Sequence, residues 1–214
     1  MDKIYIDNTD VLTTYGVFLI KQKGLLDLLE MKSPTVYDWD DEHGEEVYLE
    51  EVILEKRKFT LEVGIKATSI ADFKENLHAF YDYMRTVGLR QLRIDNLDKV
   101  FMVYLDKAKP FNRMTYWNAS LNVGTVTLNF VEPEPVNRQW YGSSTTEKVV
   151  TLACTPDNQK YSINWGDGTY ETVDESDSPI SHTYLVAGSC YIVISGRMDK
   201  IDTLSITNVT EVTW

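Results

Sequence analysis

The chain has 214 residues, 43% of them hydrophobic, and a formal net charge of −12. Its length allows two small domains or one large one, and its apolar content excludes wholesale disorder. The acidic excess is shared by residues 1–135 and 136–214, so binding of nucleic acid through phosphate neutralisation is not expected. No apolar run approaches the roughly 20 residues that span a membrane, and the first residues lack a signal-peptide core. We therefore expect no membrane insertion and a cytoplasmic origin.

Short strands open the chain. Residues 4–6 and 15–20 are apolar and predict two strands. Residues 38–55 then form an acidic run that contains Gly44, which favours a turn at its tip. From Phe59 to Ile65 apolar and polar residues alternate, as they do in a half-buried strand.

One helix is predicted, over residues 69–87. Ser69 suits the N-cap, Asp72 lies in the capping-box position, and Gly88 fits the position after the C-terminus. The apolar residues that form one stripe at three- and four-residue steps are Ile70, Phe73, Leu77, Phe80, Tyr81 and Met84. The strands predicted after the helix are residues 91–94, 100–105 and 125–131.

A proline-rich segment marks the end of the first domain. The sequence Glu132-Pro133-Glu134-Pro135 blocks strand continuation and favours an extended spacer. We therefore predict one domain over 1–135 and a second over 147–214, joined by a polar linker over 136–146. Residues 201–214 could extend the second domain by a strand, and Trp214 could serve as a docking anchor or cover the core.

The clearest motif is Trp165-Gly166-Asp167-Gly168. Here an apolar run ends and turns, because glycine takes positive φ readily and aspartate can hydrogen-bond its own backbone. His182 and Tyr184 follow in a His-x-Tyr pattern, before a strand-like stretch over 190–195. The whole pattern resembles the PKD-type immunoglobulin-like domain. That resemblance implies a β-sandwich used as a spacer or binding module, whose structural residues are Trp165, Gly166, Asp167, Gly168, His182 and Tyr184.

The first domain resembles a different family, the N-terminal domain of phage distal tail proteins and the related tail-tube fold. The similarity covers residues 1–135 and rests on the order of strands, acidic loop, helix and strands. The matching segments are Ile4–Asp7, Tyr15–Val17, Asp38–Asp40, Lys58–Leu61, Leu89–Leu92 and Leu128–Pro133. The two resemblances imply a mainly β, α+β fold: a β-sandwich with one packed helix, then an immunoglobulin-like or PKD-like sandwich. The second domain of better-known members is often galectin-like instead.

The distal-tail resemblance also implies a function. Members form a ring, commonly of six subunits, at the tip of the tail tube, and DNA passes through it. We therefore expect a virion tail protein, assembled in the host cytoplasm, that joins the tube to the baseplate as a homo-oligomer. Its partners would be other tail and baseplate proteins, and DNA would pass without specific binding. The alternative is a bacterial surface or secreted protein whose PKD-like module binds carbohydrate or protein.

The acidic run has several possible roles. Acidic walls would keep DNA mobile in a channel. The residues predicted to face such a lumen are Asp40, Asp41, Glu42, Glu45 and Glu46. A solvated loop, or contact with a partner subunit, is the alternative. Calcium is disfavoured because Gly44 falls one position late for an EF-hand loop.

No catalytic or cofactor motif accompanies the histidines His43, His78 and His182. We therefore expect no enzymatic activity, cofactor or metal site. A cation at the acidic Asp167 turn is less favoured than an Asp167 that braces its own turn.

The two cysteines could form a disulfide or remain free thiols. Cys154 and Cys190 bracket Trp165, as an immunoglobulin disulfide brackets its core tryptophan. A reducing cytoplasm favours two buried thiols over the bridge.

Overall fold

The computed structural model describes residues 3–41, 43–49, 51–109, 111–113, 122–155 and 159–213. These residues form mostly antiparallel β-sheet, together with two α-helices. The mainly β, α+β fold class is therefore confirmed. Of the positions named above, Glu42 and Trp214 lie outside the described residues.

The N-terminal part of the chain builds one large sheet. Its elements are β1 (Ile4–Ile6), β2 (Thr9–Asp10), α1 (Val11–Tyr15), β3 (Val17–Lys23), β4 (Thr35–Asp38), β5 (Glu45–Tyr48), β6 (Arg57–Ala67), α2 (Ile70–Met84), β7 (Arg90–Ile94), β8 (Val100–Ala108), β9 (Asn112–Arg113) and β10 (Asn122–Glu132). The strand order is β2-β1-β7-β8-β10-β6-β3, and β9 pairs with β10. β4 and β5 pair with each other as a separate hairpin.

The strand β6 is the centre of this sheet's core. It pairs with β10 along its whole length and with β3 on its other side. Phe59, Leu61, Val63 and Ile65 alternate towards one face and are fully buried. The predicted alternation is therefore confirmed, and the buried face of β6 lies against α2.

The helix α2 covers this core. Its N-cap is Ser69, whose Oγ accepts a hydrogen bond from the backbone N–H of Asp72 at 3.1 Å. Phe73, Phe80 and Met84 of the predicted stripe are buried. The predicted helix is confirmed, although it ends at Met84, earlier than the sequence pattern indicated.

The C-terminal part of the chain forms two further sheets. Its strands are β11 (Asn137–Ser143), β12 (Lys148–Cys154), β13 (Tyr161–Asn164), β14 (Tyr170–Val173), β15 (Ile180–His182), β16 (Ser189–Gly196), β17 (Ile201–Ile206) and β18 (Thr210–Val212). One sheet has the order β14-β13-β16-β11-β18 and the other the order β15-β12-β17. Trp165, Tyr161, Leu152 and Ile192 lie in the core that they share.

The segment 136–146 is not an extended linker. Residues 137–143 form β11, which pairs with β16 on one side and with β18 on the other. Trp140 and Gln139 are buried there. The segment looked like a connection because its residues are polar, but the two neighbouring strands satisfy its backbone groups. The domain boundary near residue 135 remains a prediction.

The two parts of the chain are in direct contact. Gln139 donates from Nε2 to the backbone oxygen of Val100 at 2.6 Å, and its Oε1 accepts from the Val100 backbone N–H at 2.9 Å. Val100, Met102 and Val193 form a small apolar cluster at this contact. Gln139, which lies in the predicted linker, thus joins the two parts of the chain. Its side-chain amide pairs with both the backbone N–H and the backbone C=O of Val100.

A buried ion pair lies where the first sheet ends. Glu132 is fully buried, and its Oε2 accepts a hydrogen bond from Arg57 Nε at 2.9 Å. Arg57 Nη1 also donates to the backbone oxygens of Leu25 and Asp27 at 2.9 and 3.0 Å. Burial raises the pKa of the Glu132 carboxyl, although Lys99 and Arg57 act in the opposite direction. The pair therefore ties the exit of β10 to the loop after β3.

The variant Arg57→Met is expected to lower the free energy of unfolding by about 3 kcal/mol, because it leaves the fully buried Glu132 carboxyl without the guanidinium that pairs with it. Urea unfolding measures this loss. The matched control is Arg138→Met, which removes the partner of Glu211 from an exposed pair and should cost less than about 1 kcal/mol. Equal costs for the two variants would contradict this account of the buried pair.

Candidate functional site

The W-G-D-G turn lies at the end of β13. Gly166 and Gly168 both have positive φ, at 85° and 94°. A Cβ at Gly166 would come within 2.6 Å of the Tyr191 backbone oxygen, so only glycine fits there. Asp167 Oδ1 accepts from the backbone N–H of Thr169 at 3.0 Å. The local turn chemistry is the one that the sequence indicated.

The structure brings the residues of the motif together. The His182 ring stacks on Trp165 with a centroid distance of 4.6 Å, and Tyr184 meets His182 edge-on at 4.7 Å. His182 Nε2 lies 2.8 Å from Asp167 Oδ2, and the Tyr184 hydroxyl donates to the Trp165 backbone oxygen at 2.8 Å. These contacts link the turn after β13 to the end of β15 and the residues that follow it.

The turn also contacts the first sheet. Asn164 Oδ1 accepts from Gln91 Nε2 at 2.7 Å, and Gln91 donates to the Tyr191 backbone oxygen at 2.8 Å. Asn8 Nδ2 donates to the Gly166 backbone oxygen at 3.3 Å. Sequence reasoning missed Gln91 and Asn8, and the one signal available was a glutamine among the apolar residues of a predicted strand.

A cleft of about 890 Å³ lies beside this contact and is lined by both parts of the chain. Its charged groups are already paired, since Arg90 Nη1 lies 2.6 Å from Asp7 Oδ2. Val87 and Leu185 at its edge are almost fully exposed. The cleft therefore offers a mixed apolar and neutralised surface.

The remaining candidate groups lie apart from one another. His43 is in the turn between β4 and β5, and His78 is on α2, whereas His182 belongs to the motif cluster. Within the described ranges, no group of three or more His, Cys, Asp and Glu side chains could hold a metal ion. In the same ranges no helix is both long enough and apolar enough to cross a membrane.

The two sheets over residues 137–212 form the second sandwich of the molecule. The two cysteines lie at different ends of it. Cys154 Sγ contacts Glu175 Oε2 at 3.7 Å, whereas Cys190 Sγ contacts the Gly142 backbone oxygen at 3.4 Å. Both are buried, free thiols. Because different residues surround each sulfur, the immunoglobulin bridge considered above is not formed in this structure.

Four of the five acidic residues predicted to face a lumen lie on the hairpin of β4 and β5. Asp40 and Asp41 are in its turn, and Glu45 and Glu46 begin β5; all four are exposed. Glu42 lies outside the described residues. The hairpin is inserted between β3 and β6, which are neighbours in the large sheet.

The hairpin exposes apolar side chains on both of its faces. Its aromatic face carries Tyr37, Trp39 and Tyr48, each about half exposed, and Tyr37 stacks on Trp39 at 6.1 Å. Its carboxylate face carries Val36, Asp38, Glu45 and Val47, which alternate with the aromatic residues. Every residue of β4 and β5 is exposed.

Glu51, which follows β5, forms ion pairs with the second sandwich. Glu51 accepts from Lys200 Nζ and Arg197 Nη2, both at 3.2 Å. These contacts lower the pKa of the Glu51 carboxyl. Asp199 also pairs with Arg197, which lowers the pKa of Asp199 to about 2.

Comparison with solved structures finds a similar fold. No family model matches the chain, and no curated protein sequence matches it significantly. The fold is similar to the crystal structure of SPP1 Dit (gp 19.1), described as a paradigm of the hub adsorption apparatus in phages that infect Gram-positive bacteria. The TM-score is 0.50 at 10% identity, and the match covers 91% of this chain and 98% of Dit. The likeness therefore extends beyond residue 135 into the second sandwich.

Protonation of Asp167 is expected to destabilise the motif. Burial acts to raise the pKa of Asp167, but hydrogen bonds from Thr169 and His182 outweigh it and lower the pKa. Ionised Asp167 therefore stabilises the fold above its unfolded pKa of about 3.9, and this contribution is lost as the pH falls through the folded pKa. The unfolding free energy of wild type, measured by urea titration, should exceed that of Asp167→Asn at about pH 5, and this difference should shrink as the pH falls further. A difference that grows in acid would contradict this.

Cys154 and Cys190 are expected to be reduced in the purified protein. Alkylation in denaturant without reductant should label both thiols, and prior reduction should leave the intact mass unchanged. A mass increase of about two hydrogens on reduction would instead show a bridge, which needs Cα atoms within about 7 Å.

Proposed function

We propose that this chain is a structural component of a phage or prophage tail, which joins the tail tube to the baseplate as an oligomeric ring with a passage for DNA. The fold similarity to SPP1 Dit over 91% of the chain supports this role. The net charge of −12 suits a protein that DNA passes without binding.

The exposed apolar side chains in and around the hairpin support the proposal that the chain forms an oligomer. More than half of the large exposed apolar side chains in the described chain lie between Leu26 and Ile53. A lone two-stranded hairpin is marginally stable in water, and an apolar surface of this extent marks a site of protein contact. A second copy of the chain is the partner that a ring would supply.

The two parts of the chain take different roles in this proposal. Residues 1–135 would form the ring, and the sandwich over 147–214, which we assign as PKD-like, would project from it towards baseplate neighbours or host-surface glycan. The strand β11 is assigned with the second part, because it pairs with β16 and β18. That Asp40, Asp41, Glu45 and Glu46 face the lumen remains a prediction, as does contact of the same hairpin with a partner subunit.

The variant Trp39→Asp is expected to weaken self-association at least about tenfold, because it places a charge on a face that the partner must cover. Light scattering across a range of protein concentrations measures the mass of the particle. The control is Val87→Asp, which places the same charge on an apolar side chain that is 97% exposed and lies outside the hairpin.

Wild type and Val87→Asp should form the same oligomer. A wild-type chain that stays monomeric at every concentration would contradict the ring. A Trp39→Asp variant that assembles like wild type would contradict the role of the hairpin.

A further inference from the structure

The large sheet has one face that is not covered by α2. Phe59, Leu61, Val63 and Ile65 of β6 point towards the helix, so the residues between them point to the opposite face. Thr60 lies there, and its hydroxyl donates to Asn129 Oδ1 of β10 at 3.0 Å. This polar row marks the centre of the uncovered face.

Strand register places lysines around that centre. Lys23 is directly opposite Thr60, and Lys107 is directly opposite Asn129. Directly opposed residues share a face, so the row runs across four strands and separates Lys23 from Lys107 by about 14 Å. Lys21, opposite Glu62, and Lys58 lie on the same face. We call Lys21, Lys23, Lys58 and Lys107 the lysine face.

These four lysines are a local exception in an acidic chain. All four are exposed. Within the described part of the chain, no carboxylate lies within ion-pair distance of any of them. Glu62, opposite Lys21, lies on the same face, so four lysines and one glutamate leave a net positive face on a chain with net charge −12. Such a face attracts acidic partners.

The carboxylate face of the hairpin has the opposite charge. Asp38 and Glu45 are directly opposed across β4 and β5, where like charges destabilise a strand pair. No cation of the described chain pairs with either carboxylate. A cation from outside the chain would relieve this repulsion, and Val36 and Val47 beside the pair would contact the aliphatic stems of lysines.

We propose that the carboxylate face of the hairpin binds the lysine face of a second copy of this chain. The proposal rests on the ring put forward above and names the surfaces that meet in it. The hairpin does not fold back on its own lysine face, since every residue of β4 and β5 is exposed. Each copy thus carries one donor patch and one acceptor patch, and such head-to-tail contacts close into a ring when the rotation allows.

A polyanion such as nucleic acid is the other ligand that a lysine face attracts. The second copy is favoured because one contact neutralises the lysines and the opposed Asp38–Glu45 pair together. It also covers Val36 and Val47 of the carboxylate face, which a polyanion would leave exposed.

Complementary charge reversal tests the contact. One variant carries Lys23→Glu and Lys107→Glu, and the other carries Asp38→Lys and Glu45→Lys. Each alone should self-associate at least about tenfold more weakly than wild type, because like charges then meet at the contact. An equimolar mixture should restore an assembly of wild-type mass in light scattering. The matched control, Lys74→Glu with Lys160→Glu, makes the same change of charge at exposed sites elsewhere and should assemble normally.

The outcomes separate the two proposals. If wild type and control assemble but the mixture does not, this pairing is wrong and the ring stands. If the lysine variant assembles normally but loses a heparin affinity that wild type has, the face binds a polyanion and the pairing is again wrong. If wild type stays monomeric, both proposals fail.

Discussion

The pairing of β6 with β10 is the constraint on which the rest of the molecule depends. Each residue from Arg57 to Ala67 faces a partner on β10, so the side chains divide strictly between two faces. One face forms the core beneath α2, and the other carries the polar row with its lysines. At the end of the ladder, Arg57 and Glu132 form the buried ion pair, beyond which the chain enters β11. The register of β6 and β10 therefore determines which residues form the core and which form the exposed face. It also determines where the chain leaves the sheet.

The hairpin of β4 and β5 stays exposed in the single chain. It is inserted between β3 and β6, which are adjacent and antiparallel, so it leaves the sheet at one end rather than crossing it. Two strands cannot bury apolar side chains between themselves, and both faces remain in water in the single chain. Tyr37 and Trp39 stack on each other, yet half of each ring is still exposed. In the proposed ring, a partner subunit completes the burial of this surface.

The W-G-D-G turn takes part in more than its own sandwich. Its stack of Trp165 and His182 orders the loops at one end of that sandwich, while Asn164 and Gly166 accept hydrogen bonds from Gln91 and Asn8 of the first sheet. Gln139 makes a second such contact at β11. The Gln139 bond is buried and the Gln91 bond is part-buried, and buried amide groups are costly to leave without a hydrogen-bond partner. The two parts of the chain are thus held in a defined relation, rather than joined by a loose spacer.

The sequence by itself determined the local elements: the alternation of β6, the stripe and N-cap of α2, and the turn after Trp165. Each depends on side chains a few residues apart, which period and turn chemistry describe. Only the tertiary structure decided that β11 is a strand, because its partners β16 and β18 lie about 50 and 70 residues further along the chain. It likewise decided where Cys154 and Cys190 lie and that lysines from three strands share a face. It also decided that part of the acidic run forms a hairpin with exposed apolar side chains. Strand order and register arise from long-range pairing, and local sequence preference does not specify them.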